Sequence, residues 1–335
     1  TYAEIAELTE RALDEKGSVL IVVNTRASAL GLYQQIKARN LGVKTYHLST
    51  NMCPAHRIDV LENKIKPKLK AKEPVICVST QLIEAGVDID FGAVIRALAG
   101  LDSIAQAAGR CNRHGEREGL GSVWVVNLQE ENLDQLKDIK AGSQHAQRLL
   151  DDFRDNPKLF GDDRIGLDAI AKYYDFYYQS HNDEMNYPVG ANSLVGKNDN
   201  LYNLLSMNEL STKAYQAIYH SAPDFLLRQS FRTANGEFRV IDSPTRGVIV
   251  PYKNGERVIT ELCSSFGLEK KGQLLKQAQR YSVNLYEHQF RKLLESKAIQ
   301  EVKEGAGIYY LNEQNYSEEF GWSDKPVSDM TVLIK

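Results

Sequence analysis

Arg110 and Arg113 stand three residues apart in QAAGRCNRHG (106–115), among small Ala and Gly residues. At helical spacing such a pair shares one face. Two guanidinium forks on one face make a clamp that fits phosphate oxygens. An arginine aimed at a phosphoryl group in transfer stabilises the charge that develops there. Gln106 lies one turn earlier. A solvated basic helix face also fits this segment taken alone. The second chemical segment is VSTQLIEAGVDIDF (78–91). An apolar strand ends at Thr80, and a loop or helix start follows with Gly86 and Asp88. Thr80 and nearby backbone N–H groups can hold a phosphate at a helix N-terminus. Asp88 can accept a hydrogen bond from a ribose hydroxyl. Alone, Gly86-Val87-Asp88 also fits a turn before a strand.

These residues need a scaffold that gathers strand ends. Small polar residues at the carboxyl ends of parallel strands lie where open α/β sheets bind ligands. VLIVVN (19–24) and PVICVST (74–80) are continuous apolar runs suited to strands buried on both faces. Further strands are predicted at 43–48, 92–98 and 122–128. Helical periodicity covers 27–39, 54–65, where Pro54 fits a first helical position, and 102–113. Strands separated by crossover helices imply a parallel sheet covered on both sides. Beyond residue 130 the pattern changes. Helices are predicted over 131–153 and 165–181, then a polar loop over 182–200. Short strands follow at EFRVI (237–241), GVIVPY (247–252) and RVITEL (257–262). A helix over 272–281, a strand over 282–286, a helix over 288–297 and a hairpin ending at 307–312 complete a small mixed domain. The expected division is 1–130, an α/β domain; 131–225, a helical linker; and 226–335, a mixed α+β accessory domain.

Together the two segments become specific. T-x-x-x-x-x-G-x-D, then Q-x-x-G-R-x-x-R, inside one parallel α/β domain, resemble the last two motifs of superfamily-2 helicases. VVNTR (22–26) sits where that family has its fourth motif, and HLSTNMCPAHR (47–57) resembles the segment between. STQLIEAGVDIDF with QAAGRCNRHG is more narrowly similar to the helicase–nuclease recruited by type I CRISPR surveillance complexes. The resemblance covers 18–128 in sequence and only the order of elements afterwards. It implies a second RecA-like motor lobe of an ATP-dependent, 3′-to-5′ single-stranded DNA translocase. It implies catalytic roles for Gln106, Arg110 and Arg113, ATP contacts by Gly86, Asp88, Arg110 and Arg113, and nucleic-acid contacts by Thr25, Arg26, Ser49 and Thr80. Glu84 belongs to the matching string but has no role legible in the sequence. The implied partners are single-stranded DNA, a first helicase lobe and a nuclease domain, and a CRISPR RNA-guided surveillance complex, in a prokaryotic cytoplasm. ATP and Mg²⁺ would be bound jointly with the first lobe. A second lobe from another DNA or RNA helicase, or a free-standing interaction module without catalysis, remain alternatives.

The 335 residues carry 41 Lys+Arg against 44 Asp+Glu, a formal charge of −3, so any positive lining for nucleic acid must be local. Thr80 facing Arg280 and Arg291 is the expected arrangement, under a C-terminal domain folded back over the first. KIKPKLKAK (64–72) reads as a solvated lysine-rich loop, and YYDFYY (173–178) as packing between linker helices. The four cysteines are scattered and no apolar run approaches the roughly 18 residues needed to span a membrane. The chain starts with Thr1, which predicts a piece of something longer. It contains no G-x-x-x-x-G-K-[ST] and no D-E-x-[DH], and no histidine is followed by Asp, so no metal ligands are expected. The chain by itself should therefore not hydrolyse ATP. Phosphate release in the presence of DNA measures this; turnover that follows the repurified chain and survives Arg113→Ala would refute it.

Overall fold

In the computed structural model every residue of β1 (Ser18–Val23) and β3 (Val75–Thr80) is buried, as their unbroken apolar runs require. Residues 1–84, 86–115, 119–224, 228–239, 245–264 and 268–327 are described. With β2 (Lys44–Leu48), β4 (Ala93–Ala97) and β5 (Ser122–Val126) these strands form one all-parallel sheet in the order β2-β3-β1-β4-β5. Alternation along β1 serves two layers. Val19, Ile21 and Val23 pack with α1 (Tyr2–Lys16) and α2 (Arg26–Ala38). Leu20 and Val22 pack on the opposite face, with Leu61, Ile65 and Ala107. α1 begins in a capping box of Thr1 with Glu4, and α2 begins where the Thr25 side chain accepts the Ser28 N–H.

The second layer departs from expectation in two places. Residues 54–70 are one helical run: α3 (Pro54–Ile58), a π turn (Asp59–Ile65) and α4 (Lys66–Lys70). The lysine-rich stretch is thus helical, not a loop, and Lys66 and Lys68 pair with Glu62 and Glu73. Pro67 has no N–H for the carbonyl one turn before it, and a wider turn just upstream relieves that conflict. The helix expected to reach residue 113 is only α5 (Leu101–Ala108). The helix expected from 131 is α6 (Lys137–Asp155), preceded by irregular backbone. α7 (Leu167–Ser180) follows, with Tyr173 buried.

The chain divides into two compact units, 1–173 with 244–335, and 174–243. The 174–243 unit pairs β6 (Pro188–Val189) with β7 (Asp199–Asn200) and adds α8 (Leu201–Leu205), α9 (Glu209–Tyr219) and α10 (Phe231–Glu237) around Val189, Leu204 and Ala234. Of the strand expected at 237–241, Glu237 ends α10, Phe238 and Arg239 are irregular, and Val240 and Ile241 lie outside the described residues. In the larger unit, β8 (Thr245–Ile249) leads to α11 (Asn254–Ser264) and α12 (Leu268–Ala278). RVITEL is part of α11, not a strand: Val258, Ile259 and Leu262 recur at helical spacing and are buried together. β9 (Ser282–Tyr286), α13 (Glu287–Glu295), β10 (Ile299–Glu301) and β11 (Tyr309–Leu311) complete a mixed sheet in the order β10-β11-β8-β9.

This second sheet is fastened to the first lobe through a histidine. His56 on α3 is fully buried. Its Nδ1 lies 2.9 Å from the Tyr316 hydroxyl and its Nε2 3.0 Å from the Glu318 carbonyl oxygen. Its ring stacks on Tyr252 with centroids 4.1 Å apart, and Tyr252 donates its hydroxyl to Asp59 at 2.8 Å. His47, on β2, is also buried, 2.9 Å from the Ser49 hydroxyl. Burial pushes both imidazoles down to about 4 from 6.5. Between those values the unfolded chain binds more protons than the folded one, so stability present above pH 6.5 is lost as pH falls toward 4. Each histidine contributes at most about 1.4 kcal/mol per pH unit in that window. Urea unfolding from pH 7 to pH 5 should show this decline, and His56→Gln should flatten it. Equal stability at both ends would contradict neutral, buried histidines.

Candidate nucleotide face and nucleic-acid groove

β3 ends at Thr80 and a tight turn, Gln81–Ile83, starts the loop that carries Gly86 (φ +71°) and Asp88. The second motif comes alongside it through backbone pairing. Phe91 donates its N–H to the Arg110 carbonyl at 2.9 Å, and Asn112 donates to the Phe91 carbonyl at 3.0 Å. This pairing draws residues 110–112 out of the helix after Gly109, and Asn112 (φ +48°) turns the chain. Arg110 and Arg113 therefore do not share a helix face. Arg110 is buried and points into the loop: Nε donates to Ile83 O at 3.2 Å, Nη1 to Gly109 O at 3.4 Å, and Nη2 to Glu84 O. Burial lowers its pKa from the usual arginine value. Arg113 is outside, with 40% of its side chain exposed, 3.6 Å from Asp88 Oδ1, whose own side chain is 71% exposed. The Arg113 N–H donates to Asp90 Oδ1 at 2.8 Å and its Nη1 to Val87 O at 3.4 Å. His114 Nε2 is 3.5 Å from Asp88 Oδ1, a neighbour the sequence reading set aside. Asp88, Asp90 and His114 line a cavity of about 390 Å³ together with Lys66, Lys70 and Lys72. Gln106 is exposed on α5, and Gly86 lies beside Arg57 and Leu82 in a second hollow of about 300 Å³.

Beneath this face lies a polar network that sequence reasoning missed. Arg96, inside β4, has a fully buried side chain, and its Nε is 2.8 Å from Glu84 Oε1. Its Nη1 donates to Asn24 Oδ1 and to Ala97 O, both at 2.8 Å. Asn24 Nδ2 donates to Glu131 Oε2 at 2.7 Å and Leu98 O at 3.0 Å. Glu131 Oε1 accepts the N–H groups of Asn24 and Thr25 at 2.8 and 2.9 Å. Glu84 thus has a role: it neutralises Arg96. Burial raises the Glu84 pKa, opposed by the Arg96 charge. The available signal was an arginine within the apolar string AVIRA, which demands a buried counter-charge.

Thr25 and Arg26 open a groove of about 500 Å³ whose far wall is C-terminal: His288, Lys292, Trp322 and Asp324. Arg26 Nη1 donates to Asn51 Oδ1 at 3.1 Å, and its guanidinium lies 5.6 Å from the Tyr286 ring centroid and 5.9 Å from that of Trp322. The structure corrects the expected lining. Thr80 and Ser49 are buried, and neither they nor Arg280 and Arg291 line this groove. Ser49 accepts the Asn51 N–H at 3.2 Å, and Arg291 pairs with Glu287 at 3.0 Å. His288 and Lys292, four apart on α13, take the places expected of Arg280 and Arg291. That spacing was readable, since Phe290 and Leu293 mark the opposite, buried side of the helix.

The five-stranded all-parallel sheet with helices on both faces, joined by a smaller mixed sheet, defines an α/β, RecA-like fold. Residues 15–116 match the family described as CRISPR-associated nuclease/helicase Cas3, C-terminal. The chain is 51% identical over 63 residues to a CRISPR-associated nuclease/helicase Cas3 of Haloferax volcanii, a stretch covering 18% of this chain and 7% of that protein. A Methanothermobacter thermautotrophicus protein of the same name is 29% identical over 117 residues, 34% of this chain and 14% of the relative. The crystal structure of T. fusca Cas3 superimposes with a TM-score of 0.56 at 13% identity, over 93% of this chain and 37% of that one. Residues 15–116 are therefore similar to a Cas3 helicase C-terminal region, and the chain spans well under half the length of these relatives. Among the described residues no helix is long and apolar enough to cross a membrane.

The two arginines should separate in a stability measurement. Arg110→Ala strips buried carbonyl oxygens of their donor and should cost about 1–3 kcal/mol in urea unfolding. Arg113→Ala, on the surface, should stay within about 0.5 kcal/mol. Equal costs would mean that Arg110 does not hold the loop.

Proposed function

We propose that the chain is the second motor lobe and accessory region of an ATP-dependent single-stranded DNA translocase of the Cas3 type, acting 3′-to-5′ in CRISPR interference beside a nuclease domain. The observation that carries this reading is the pairing of two faces on one lobe. One presents Asp88 on a cavity, with Arg113 3.6 Å from its carboxylate; the other presents Thr25 and Arg26 in a groove whose far wall is formed by α13 and residues 322–324. Asp88 offers an exposed acceptor for a ribose hydroxyl and Arg113 an exposed donor for phosphate oxygens. Arg110 acts one step behind, holding the loop that carries Asp88. Among the described residues no acidic or histidine cluster is placed to hold a metal. In this reading ATP and Mg²⁺ would be bound jointly with a first lobe. When bound, the metal would supply charge neutralisation at the β- and γ-phosphates. In the groove, Arg26 supplies positive charge to a phosphate backbone, Lys292 does so by exchanging its 2.6 Å pairing with Asp324, and His288, stacked with Tyr286, supplies ring surface for bases. The CRISPR RNA-guided surveillance complex belongs to this reading through the Cas3 likeness.

Binding of a fluorescent oligothymidylate to this chain tests the groove. Affinity should be weak and indifferent to sequence. Arg26→Ala and Lys292→Ala should each lower the slope of log affinity against log salt by about 0.7. Arg113→Ala should bind like the wild type. In a protein carrying both lobes, Arg113→Ala should reduce ATP turnover by about 10³-fold, and Asp88→Ala should act more mildly, through nucleotide affinity. Undiminished binding by both groove variants would refute the groove assignment, and a larger catalytic loss from Asp88→Ala would refute the roles.

A further inference from the structure

The two faces are joined by the buried network. Its polarity is fixed at every link. Arg96 can only donate, so Asn24 must turn its carbonyl oxygen toward it, at 2.8 Å, and Gln81 Nε2 approaches the same oxygen at 3.3 Å. The Asn24 amide nitrogen is then forced toward Glu131, which receives it at 2.7 Å. Glu131 has one oxygen left, and that oxygen holds the backbone of Asn24 and Thr25, the turn that opens the groove. At the other end Arg96 meets Glu84, whose backbone carbonyl is gripped by Arg110 in the loop leading to Asp88. No link can reverse while Arg96 stays charged. Asn24, Glu84 and Arg96 are all buried, so water cannot stand in for a lost partner.

We propose that Glu131, Asn24, Arg96 and Glu84 form a relay that sets the groove turn and the nucleotide-side loop against each other, with Glu131 and Asn24 as positioning residues. A shift of the turn at Thr25 moves the Glu131 carboxylate. That moves Asn24, and Arg96 follows, altering its grip on Glu84. The relay is thus a physical route by which occupancy of the groove would bias the loop bearing Asp88. This inference rests on the reading of the two faces given above.

The test exploits the fixed polarity. Glu131→Gln sets an amide donor against the Asn24 donor. Asn24→Asp sets a carboxylate against Glu131. The double variant exchanges amide and carboxylate at the same net charge and restores the hydrogen bond between the two side chains, while the bond that Asn24 Nδ2 gives to Leu98 O is lost in Asn24→Asp with or without its partner change. Amide hydrogen exchange of this chain, without any ligand, is the first readout. Each single variant should speed exchange by about tenfold both at 24–26 and at 82–84 and 86–88, and the double variant should exchange more slowly than Asn24→Asp alone in both regions. Oligothymidylate affinity should fall and recover in step. Loosening confined to 24–26 would make Glu131 a local cap and overturn the relay. A double variant no better than the sum of the singles, or one that does not fold, would overturn it as well. A single variant that fails to fold supports the relay when the double variant folds. If the wild type binds no oligothymidylate, the nucleic-acid reading fails, while the exchange pattern still decides the relay.

Discussion

A guanidinium one residue from the carboxyl end of a fully buried parallel strand must find its partners inside the protein. Arg96 lies on β4, its side chain fully buried, with β1 and β5 on either side. Removing such a charge from water costs several kcal/mol, and removing its partner afterwards leaves it stranded, a loss of about 3–5 kcal/mol. The fold answers with three kinds of group: a carboxylate from the loop after β3, an amide from the end of β1, and a backbone carbonyl from its own strand. Each comes from the carboxyl end of the sheet, where open α/β sheets place their ligands. One buried charge therefore dictates the positions of several loops at once.

That constraint explains why the lobe was legible and much of the site was not. Strands with unbroken apolar runs, such as 19–23 and 75–80, can only be buried on both faces, and the parallel sheet follows from them. Asp88 and Arg113 were grouped from motif spacing and do stand 3.6 Å apart. The pairing of Arg110 with Arg113 rested on a shared helix face, which the structure does not have. The helix stops at Ala108 because Phe91 takes the backbone of residues 110 and 112, a pairing between segments some twenty residues apart that periodicity cannot register. RVITEL went wrong for a related reason. A short apolar run fits strand and helix alike, and the decision lies with what it packs on, here Leu274 and Ala278 of α12.

The C-terminal region was legible in kind but not in placement. Arg280 and Arg291 marked it as a candidate groove wall. The residues that line the groove, His288 and Lys292, were set by the face α13 turns toward Phe290 and Leu293, and hence by packing of the mixed sheet. Ser49 and Thr80 show the converse. Family position suggests exposure to nucleic acid, yet in this chain both residues are buried, and the Ser49 hydroxyl accepts the Asn51 N–H.

Contacts across the length of the chain then converge on Arg26. Gly321 lies against the backbone of Asn51 so closely that a Cβ there would sit 2.2 Å from the Asn51 carbonyl oxygen, and its φ of +87° is one that glycine alone takes readily. This approach lets the Trp322 N–H donate to that same carbonyl at 2.9 Å. Asn51 is thereby fixed, and its side chain holds Arg26. On the other side, Glu131 fixes the backbone at Thr25. The guanidinium is thus held by one contact from residue 51, itself pinned by residues 321 and 322, and by a turn clamped from residue 131. A C-terminal segment that merely covered the lobe could be removed without changing what it covered. Here the segment supplies the donor that orders Asn51 as well as the far wall of the groove. The lobe's own groove residues are therefore completed by the C-terminal segment, and the two parts make one groove.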